Sequence, residues 1–240
     1  RYGRRMSQQT ALQPVPAVME QRILVPVANP AYATRMLDMA FLLSDTTQQG
    51  AIYPVTIIRD DTNVENALAR SETLLAHCLT HASSAEITVT PSVRIDVNIS
   101  DGIIRASKEL RATMVLTGWG GEQTTQSRVF GSIMEKLVDA CPSRILFCRL
   151  VSPLNTTRRL LFLLPPFAER RKDLATSMRD AKVLAKQIGV ELTVFLTARD
   201  SGDIRTRIES IRPLRPLRFV ESNTLAEVQL RLFEEIGPDD

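Results

Sequence analysis

An apolar run that leads through a glycine-rich turn into an amphipathic helix constrains the fold of this chain more than any other feature. Met114 to Thr117 ends in Gly118-Trp119-Gly120-Gly121, and Gly131-Ser132 opens a helical pattern after nine further residues. The spacing is Gly-x2-Gly-x9-Gly-Ser between a predicted strand and a predicted helix. Glycines let the backbone approach an anion, and the free N–H groups of a helix N-terminus attract negative charge. Ser132 is a candidate helix cap, a candidate phosphate ligand, or both.

This spacing alone has two interpretations. Such a turn binds nucleotide phosphates in some α/β proteins and only connects a strand to a helix in others. Trp119 is the only tryptophan and lies among glycines, so it either covers a bound base or closes the loop.

Apolar runs alternate with helical patterns throughout residues 22–150, which predicts an α/β fold with a mostly parallel five-stranded sheet sandwiched by helices. Pro91 inside the third run indicates an edge strand or a bulge. Ligands of such sheets lie at the carboxyl ends of strands, and the glycine loop follows such an end. The predicted strands are 22–27, 50–58, 87–96, 114–117 and 144–150, and the predicted helices are 32–44, 63–81, 100–110 and 131–140.

The pattern restarts after a polar linker at residues 152–157. Arg159 to Pro166 echoes Arg22 to Pro30 in residue type and phase, and a long helix follows in both copies. The second copy stops where the first has its glycine loop, so we expect a second, shorter repeat that is incomplete or truncated. Its predicted strands are 159–164, 190–197 and 217–221, its predicted helices are 169–188, 203–211 and 224–236, and the predicted domains are 22–151 and 157–240.

Residues 1–21 are predicted to form an exposed leader. Three of the first five residues are arginines, and Pro14 and Pro16 follow. The segment is either a solvated tail or the cytoplasmic flank of a membrane helix. No run approaches the roughly 18 apolar residues that a membrane span needs, so the chain as given is predicted to be soluble.

Composition limits the function classes. The net charge is only +3, with 30 basic and 27 acidic residues interspersed, which does not favour a nucleic-acid partner. Three cysteines without paired spacing indicate reduced thiols in a cytosolic setting. His77 and His81 are four residues apart beside Cys78, but no third ligand is spaced nearby, so we predict no metal site. The proline-rich segment 212–218 leads into a strand, and a loop is preferred over a recognition motif.

Catalysis has little support in the sequence. Neither the Gly-x4-Gly-Lys-[Ser/Thr] phosphate loop nor the Gly-x-Ser-x-Gly elbow is present. Both histidines lie on one predicted helix, which disfavours a histidine-based nucleophilic site. We therefore predict a binding protein with no catalytic residues.

Residues 22 to 150 resemble a universal stress protein domain, whose ATP-binding members carry Gly-x2-Gly-x9-Gly-[Ser/Thr] after the fourth strand. In those members the loop holds the phosphates and ribose, and an Asp after the first strand contacts adenine. Ala28, followed by Asn29, stands at the position of that Asp, so the resemblance supports the phosphate half of the site better than the base half. The candidate nucleotide-binding residues are Gly118, Trp119, Gly120, Gly121, Gly131, Ser132, Val27, Ala28, Asn29 and Ile57.

A second resemblance covers almost the whole chain. The phrases ILVPVANP, YPVTIIRDD, FGSIMEKL and SPLNTTRRLLFLLPP are similar to the cytosolic C-terminal region of bacterial cation (Na⁺ or K⁺):proton antiporters. It implies a homodimeric regulatory domain, covalently linked to a transmembrane antiporter domain at the cytoplasmic face of the bacterial inner membrane. Its implied ligand is an adenine nucleotide: ATP, AMP or cyclic di-AMP. The alternatives are a ligand-free dimerisation module and a free-standing ATP-binding stress protein with weak ATPase activity.

Overall fold

The computed structural model of the chain describes residues 21–44, 50–61, 64–119, 125–197 and 201–237. The leader at 1–20 and residues Gly120 and Gly121 of the predicted loop lie outside these ranges. Within helix 125–140, the side chains are described from residue 133 onward.

The first repeat is built on a five-stranded sheet in the order β3-β2-β1-β4-β5, and every strand pairing in it is parallel. The central strand β1 is buried on both faces because it is a continuous apolar run. These findings confirm the predicted fold class. The strands are β1 (Arg22–Pro26), β2 (Ala51–Arg59), β3 (Ser92–Asp96), β4 (Met114–Gly118) and β5 (Arg144–Cys148).

Four helices cover the two faces of this sheet. α1 (Pro30–Leu43) and α2 (Val64–Ser84) enclose one apolar cluster with β1, which includes Leu37 and Cys78. α3 (Ile99–Glu109) and α4 (Thr125–Ala140) enclose a second cluster on the opposite face. The parallel strands therefore have helices on both sides, as their apolar sequences require.

The second repeat contains a three-stranded parallel sheet in the order β6-β7-β8. One face packs against α5 and α6, and the other packs against α7. It is the predicted shorter repeat. Its elements are β6 (Arg159–Leu163), α5 (Leu174–Ile188), β7 (Glu191–Thr197), α6 (Ser201–Ser210), β8 (Arg218–Ser222) and α7 (Leu225–Glu235). The domain boundaries at 151 and 157 stay predictions.

The repeats contact each other through α1 and α5, the first helix of each copy. Leu184 of α5 packs against the apolar cluster of the first sheet. Arg144 at the start of β5 forms an ion pair with Asp180 of α5. The guanidinium of Arg35 donates to the carbonyl oxygens of Leu150 at 3.0 Å and Val151 at 2.9 Å, which holds the segment after β5 against α1.

Three predicted boundaries are wrong, each for a local reason. β3 begins at Ser92 instead of residue 87, because Pro91 has no N–H to donate to a ladder; upstream, Val89 makes only an isolated bridge to Ile52. The predicted edge position of this strand is confirmed. α5 begins at Leu174 instead of residue 169, because the preceding residues form a short 3-10 turn after Phe167, which has a left-handed φ of 61°. α4 begins at Thr125, six positions before the predicted start.

Candidate ligand-binding crevice

The strand order places a crevice between the carboxyl ends of β1 and β4. From β1 the chain crosses to β2 on one side, while β4 pairs with the other side of β1. Open α/β sheets bind ligands at such a switch point, outside the carboxyl ends of the two strands. The segments that leave β1 and β4 therefore form the candidate site.

The exit from β1 carries three of the candidate residues. The N–H of Val27 donates to the carbonyl oxygen of Val55 at 2.8 Å, and its side chain is buried. Ala28 and Asn29 are exposed. The Asn29 side-chain oxygen accepts from the N–H of Ala31 at 2.9 Å and caps α1, one residue before Pro30. Ala28 has only a methyl side chain there, so it offers a base no polar side-chain contact.

The exit from β4 carries two more candidates. Gly118 is the last residue of β4 and pairs with Cys148 of β5. The N–H of Trp119 donates to the carbonyl oxygen of Cys148 at 2.6 Å, so the backbone pairing continues one residue past the strand. The Trp119 side chain is 53% exposed. A large apolar side chain is thus held beside the crevice by backbone pairing while its ring remains accessible.

The described residues leave room for a small side chain at Gly118. Among them, a Cβ added there would meet only the Met36 sulfur at 3.8 Å, which is ordinary van der Waals contact. The described protein therefore does not require glycine at this position on steric grounds.

Gly131 and Ser132 do not open α4. The helix begins at Thr125, so both residues lie inside it, and the prediction that Ser132 caps the helix is wrong. Glycine is unfavourable inside a helix, which is why the sequence pattern predicts a helix start at Gly131. One glycine in a helix interior costs only about 1 kcal/mol relative to alanine. The remaining residues of α4 outweigh that penalty.

Ile57 is placed apart from Val27. Its side chain belongs to the cluster beneath α3, whereas Val27 belongs to the cluster beneath α1 and α2 on the other face. A Cβ on Gly102 of α3 would lie 2.5 Å from the Ile57 Cγ2, so these two residues pack directly against each other. The role of Ile57 as a ligand contact stays a prediction.

His77 and His81 join α2 to α1. A ring nitrogen of His77 lies 3.3 Å from the Thr34 hydroxyl, and one of His81 lies 2.6 Å from the Asp38 carboxylate. The His81 ring also stacks on Phe41 with centroids 5.8 Å apart. The described residues bring no group of three potential His, Cys, Asp or Glu ligands together.

Burial controls the chemistry of two thiols near this sheet. Desolvation raises the pKa of Cys148 to about 12, and it also raises the pKa of Cys78. Both are free and buried, as expected of reduced core thiols. They are poor nucleophiles because a protonated thiol reacts slowly.

Two sets of contacts outside the predicted site hold neighbouring segments together. Arg35 joins α1 to the segment after β5, and the Arg144–Asp180 pair joins β5 to α5. The sequence signal for Arg35 is weak, because it is the only arginine of α1 and nothing in the local sequence indicates its partners. The crevice is also separate from an open cleft of about 540 Å³ between β8 and α7, where Arg218 pairs with Glu235.

The sheet order and the helices on both faces define an α/β protein of the doubly wound type. The chain belongs to the universal stress protein family, whose family model matches residues 19–149. None of the helices in the described part of the chain combines the length and apolar character that crossing a bilayer requires.

Similar proteins include a transporter. The Na(+)/H(+) antiporter NhaS5 of Synechocystis sp. (strain ATCC 27184 / PCC 6803 / Kazusa) is 27% identical over 147 residues, covering 58% of this chain and 21% of the antiporter. This chain thus spans about a fifth of the length of that curated relative.

Two solved structures share the fold across most of the chain. The cytoplasmic domain of a prokaryotic cation chloride cotransporter has a TM-score of 0.59 at 9% identity, covering 85% of this chain and 79% of that domain. A universal stress protein from Archaeoglobus fulgidus DSM 4304 has a TM-score of 0.57 at 17% identity, covering 89% and 81%. At these identities the likeness establishes the two-repeat fold.

Proposed function

We propose that this chain is the cytosolic regulatory domain of a cation:proton antiporter and that it binds an adenine nucleotide at the crevice between β1 and β4. The observation that carries the proposal is the position of Gly118, the first glycine of the Gly-x2-Gly-x9-Gly-Ser motif. Gly118 ends β4 at the switch point of the sheet. The similarity to an antiporter supports the transporter connection.

The crevice suits a ligand that carries phosphate, and it selects weakly among bases. Gly118 has no Cβ, and a ligand can therefore approach its backbone closely. Trp119 offers an exposed ring on which a base can stack. Ala28 provides no polar side chain to read the base, so we propose ATP, AMP and cyclic di-AMP as the ligands to compare.

Binding without turnover fits the described part of this crevice. Val27, Ala28, Asn29, Gly118 and Trp119 carry no titratable side chain. Hydrolysis of a phosphoanhydride needs a group that positions or deprotonates water. We therefore propose that the domain senses the nucleotide without hydrolysing it. Slow phosphate release that depends on the protein would instead reveal weak ATPase activity.

Regulation would proceed through a shift between conformations. A ligand that binds one arrangement of the repeats more tightly favours that arrangement. In the proposed full-length protein, a homodimer at the cytoplasmic face of the bacterial inner membrane, the linked transmembrane antiporter domain would respond to that shift.

A ligand-free dimerisation module is the second candidate, favoured by Ala28, which leaves the base side without a polar side chain. It predicts dimers that form without nucleotide and that are unaffected by substitution of Gly131. Sedimentation with and without nucleotide separates the two candidates, because only the sensor changes its association or shape on ligand addition.

The regulatory role is tested with inside-out membrane vesicles that contain the full-length antiporter. Adding ATP, AMP or cyclic di-AMP outside such vesicles exposes the cytoplasmic face to each nucleotide. We expect at least one of them to change the rate of cation-driven proton movement, and Gly118→Val to remove that change while transport itself remains. Equal rates under all conditions would contradict regulation by nucleotide.

A further inference from the structure

A single arginine of the first helix holds the start of the connection between the repeats. β5 ends at Cys148, and β6 of the second repeat begins at Arg159. One guanidinium nitrogen of Arg35 on α1 donates to the carbonyl oxygens of Leu150 at 3.0 Å and Val151 at 2.9 Å. Hydrogen bonds from a charged donor are stronger than those between neutral groups. The connection therefore leaves the first repeat while bound to α1.

The crevice is bonded to the same segment. The N–H of Trp119 donates to the carbonyl oxygen of Cys148 at 2.6 Å, directly after the pair between Gly118 and Cys148. Leu150, two residues further on, packs against the apolar cluster beneath α1. The segment 148–151 is thus bonded both to Trp119 of the crevice and to Arg35 of α1. A shift of either residue strains the hydrogen bonds that it makes to this segment.

The helix that carries Arg35 begins at the crevice. The side chain of Asn29 caps its first turn by accepting from the N–H of Ala31. Met36, the neighbour of Arg35 in the chain, has its sulfur 3.8 Å from the position that a Cβ on Gly118 would take. The inner face of α1 is buried, so the helix is held firmly on the sheet. One helix therefore contacts the exits from β1 and β4 and also the segment after β5.

The rest of the connection is held by its own hydrogen bonds and by α1. The carbonyl oxygen of Pro153 accepts from the N–H of Thr156 at 3.1 Å and from the hydroxyl of the same residue at 2.7 Å. These bonds stabilise a 3-10 turn at Leu154–Thr156, and this turn contacts α1. A connection of this kind is not a flexible tether. A displacement at its start is therefore carried to β6.

We propose that Arg35 is a positioning residue through which the segment 148–151 couples the crevice to the second repeat. A ligand that stacks on Trp119 or contacts the start of α1 favours one position of this segment, and the second repeat follows that position. Because coupling is reciprocal, the way in which the second repeat is held also changes the affinity of the crevice. The identity of the ligand rests on the proposed function, whereas the coupling is a property of the unliganded chain.

The unliganded chain is tested by amide hydrogen exchange at Trp119. Because the chain has one tryptophan, isotope-labelled tryptophan gives a single backbone amide signal in NMR spectra. We expect this amide to exchange about tenfold faster in Arg35→Met, because the segment that carries its acceptor loses two hydrogen bonds. Arg35→Lys keeps a charged donor and should recover part of the protection. The control Arg70→Met changes an exposed arginine of α2 and should leave the rate unchanged.

The effect on the second repeat is tested with nucleotide. Hydrogen exchange read by mass spectrometry compares the chain with and without ATP, AMP and cyclic di-AMP, and calorimetry on the same samples reports binding. We expect a nucleotide that binds to slow exchange by about twofold or more in peptides that cover residues 149–158 and α5. Arg35→Met should still bind that nucleotide but should lose the change in these peptides.

The outcomes separate this coupling from the proposed function. Circular dichroism verifies that each variant is folded. An unchanged exchange rate of the Trp119 amide in Arg35→Met overturns the coupling, whatever the nucleotides do. Binding heat without any change in residues 149–158 and α5 also overturns it and leaves the nucleotide site intact. Absence of heat with every nucleotide contradicts the proposed function, and the exchange rate of the Trp119 amide then decides the coupling by itself.

Discussion

The Arg144 guanidinium, at the start of the edge strand β5, forms an ion pair with the Asp180 carboxylate on α5, and so joins the first repeat to the second. The side chains are only 27% and 18% exposed. α5 also places Leu184 against the apolar cluster of the first sheet. The contact lies where the connection from α4 enters β5.

Breaking this pair should weaken the coupling between the repeats. Asp180→Asn leaves Arg144 largely buried without its counter-charge, so we expect a loss of about 1–3 kcal/mol in unfolding free energy, below the range for fully buried pairs because some solvent remains. Urea unfolding measures the change. The control Asp173→Asn removes the exposed pair with Arg171 on the same repeat and should cost about 0–1 kcal/mol. Equal losses in the two variants would show that the repeats are not coupled through Asp180.

Substitution by alanine should lower the stability of the chain at Gly102 and leave it almost unchanged at Gly118. At Gly102 the new Cβ would lie 2.5 Å from the Ile57 Cγ2, so Gly102→Ala should cost about 1–3 kcal/mol through overpacking. Gly118→Ala should change stability by less than about 0.5 kcal/mol because, among the described residues, its Cβ makes only an ordinary contact with the Met36 sulfur at 3.8 Å. Thermal unfolding compares them.

A double-variant cycle tests the cause of the Gly102 effect. Ile57→Ala removes the clashing methyl group, so it should recover part of the stability lost in Gly102→Ala, with a favourable coupling energy. Additive losses would mean that the strain arises elsewhere, for example against the Asp96 Cβ at 3.3 Å.

Lys182 is fully buried and contacts the C-terminal end of α6. Its Nζ donates to the carbonyl oxygens of Ile208 at 2.7 Å, Glu209 at 3.3 Å and Ile211 at 2.7 Å. Lys182→Met leaves these carbonyls without their donor, so we expect a loss of about 2–4 kcal/mol. Lys186→Met, one turn later at an exposed position, is the matched control and should be nearly neutral.

The same lysine gives a pH dependence of defined sign. Burial lowers the pKa of Lys182 below 10.5, so the unfolded chain binds more protons between the two values. Stability contributed by this group therefore rises as pH increases from the lowered pKa towards 10.5. Urea titrations in the alkaline range should show this rise for the unchanged chain relative to Lys182→Met. Parallel pH profiles for the two chains would contradict a desolvated ammonium group.

The three cysteines should react at different rates. Cys141 is partly exposed, whereas Cys78 and Cys148 are buried with raised pKa values. Iodoacetamide at pH 8 should add one label rapidly to the native chain, at Cys141, and three in denaturant. Peptide mass spectrometry identifies the sites, and rapid native labelling of Cys148 would contradict its burial beside β4.

Strand positions were predictable because a short, continuous apolar run is typical of a parallel strand that is buried on both faces. β1 was expected at 22–27 and occupies Arg22–Pro26. Helix starts were less predictable, since α4 passes through Gly131 and α5 is delayed by the left-handed residue Phe167. Local sequence does not reveal how much helix stability comes from packing.

The candidate site was predictable only as a position in the fold. The spacing of Gly118 and the strand order together indicated the carboxyl end of β4, and the structure adds the exposed side chain of Trp119. The pair between Arg144 and Asp180 was not predictable, because single charged residues carry no information about partners 36 positions away. The internal repeat was visible in sequence because Arg159 to Pro166 matches Arg22 to Pro30 in residue type and phase.

Isothermal titration calorimetry of the chain with ATP, AMP and cyclic di-AMP tests the central claim most directly. We predict saturable heat with at least one of these nucleotides, and loss of that heat in Gly118→Val at unchanged thermal stability, because the valine side chain would block close approach of a ligand to the backbone while a Cβ there makes only ordinary contact with Met36 of the described core. Absence of heat with all three nucleotides, or equal binding by Gly118→Val, would contradict a nucleotide site at this crevice.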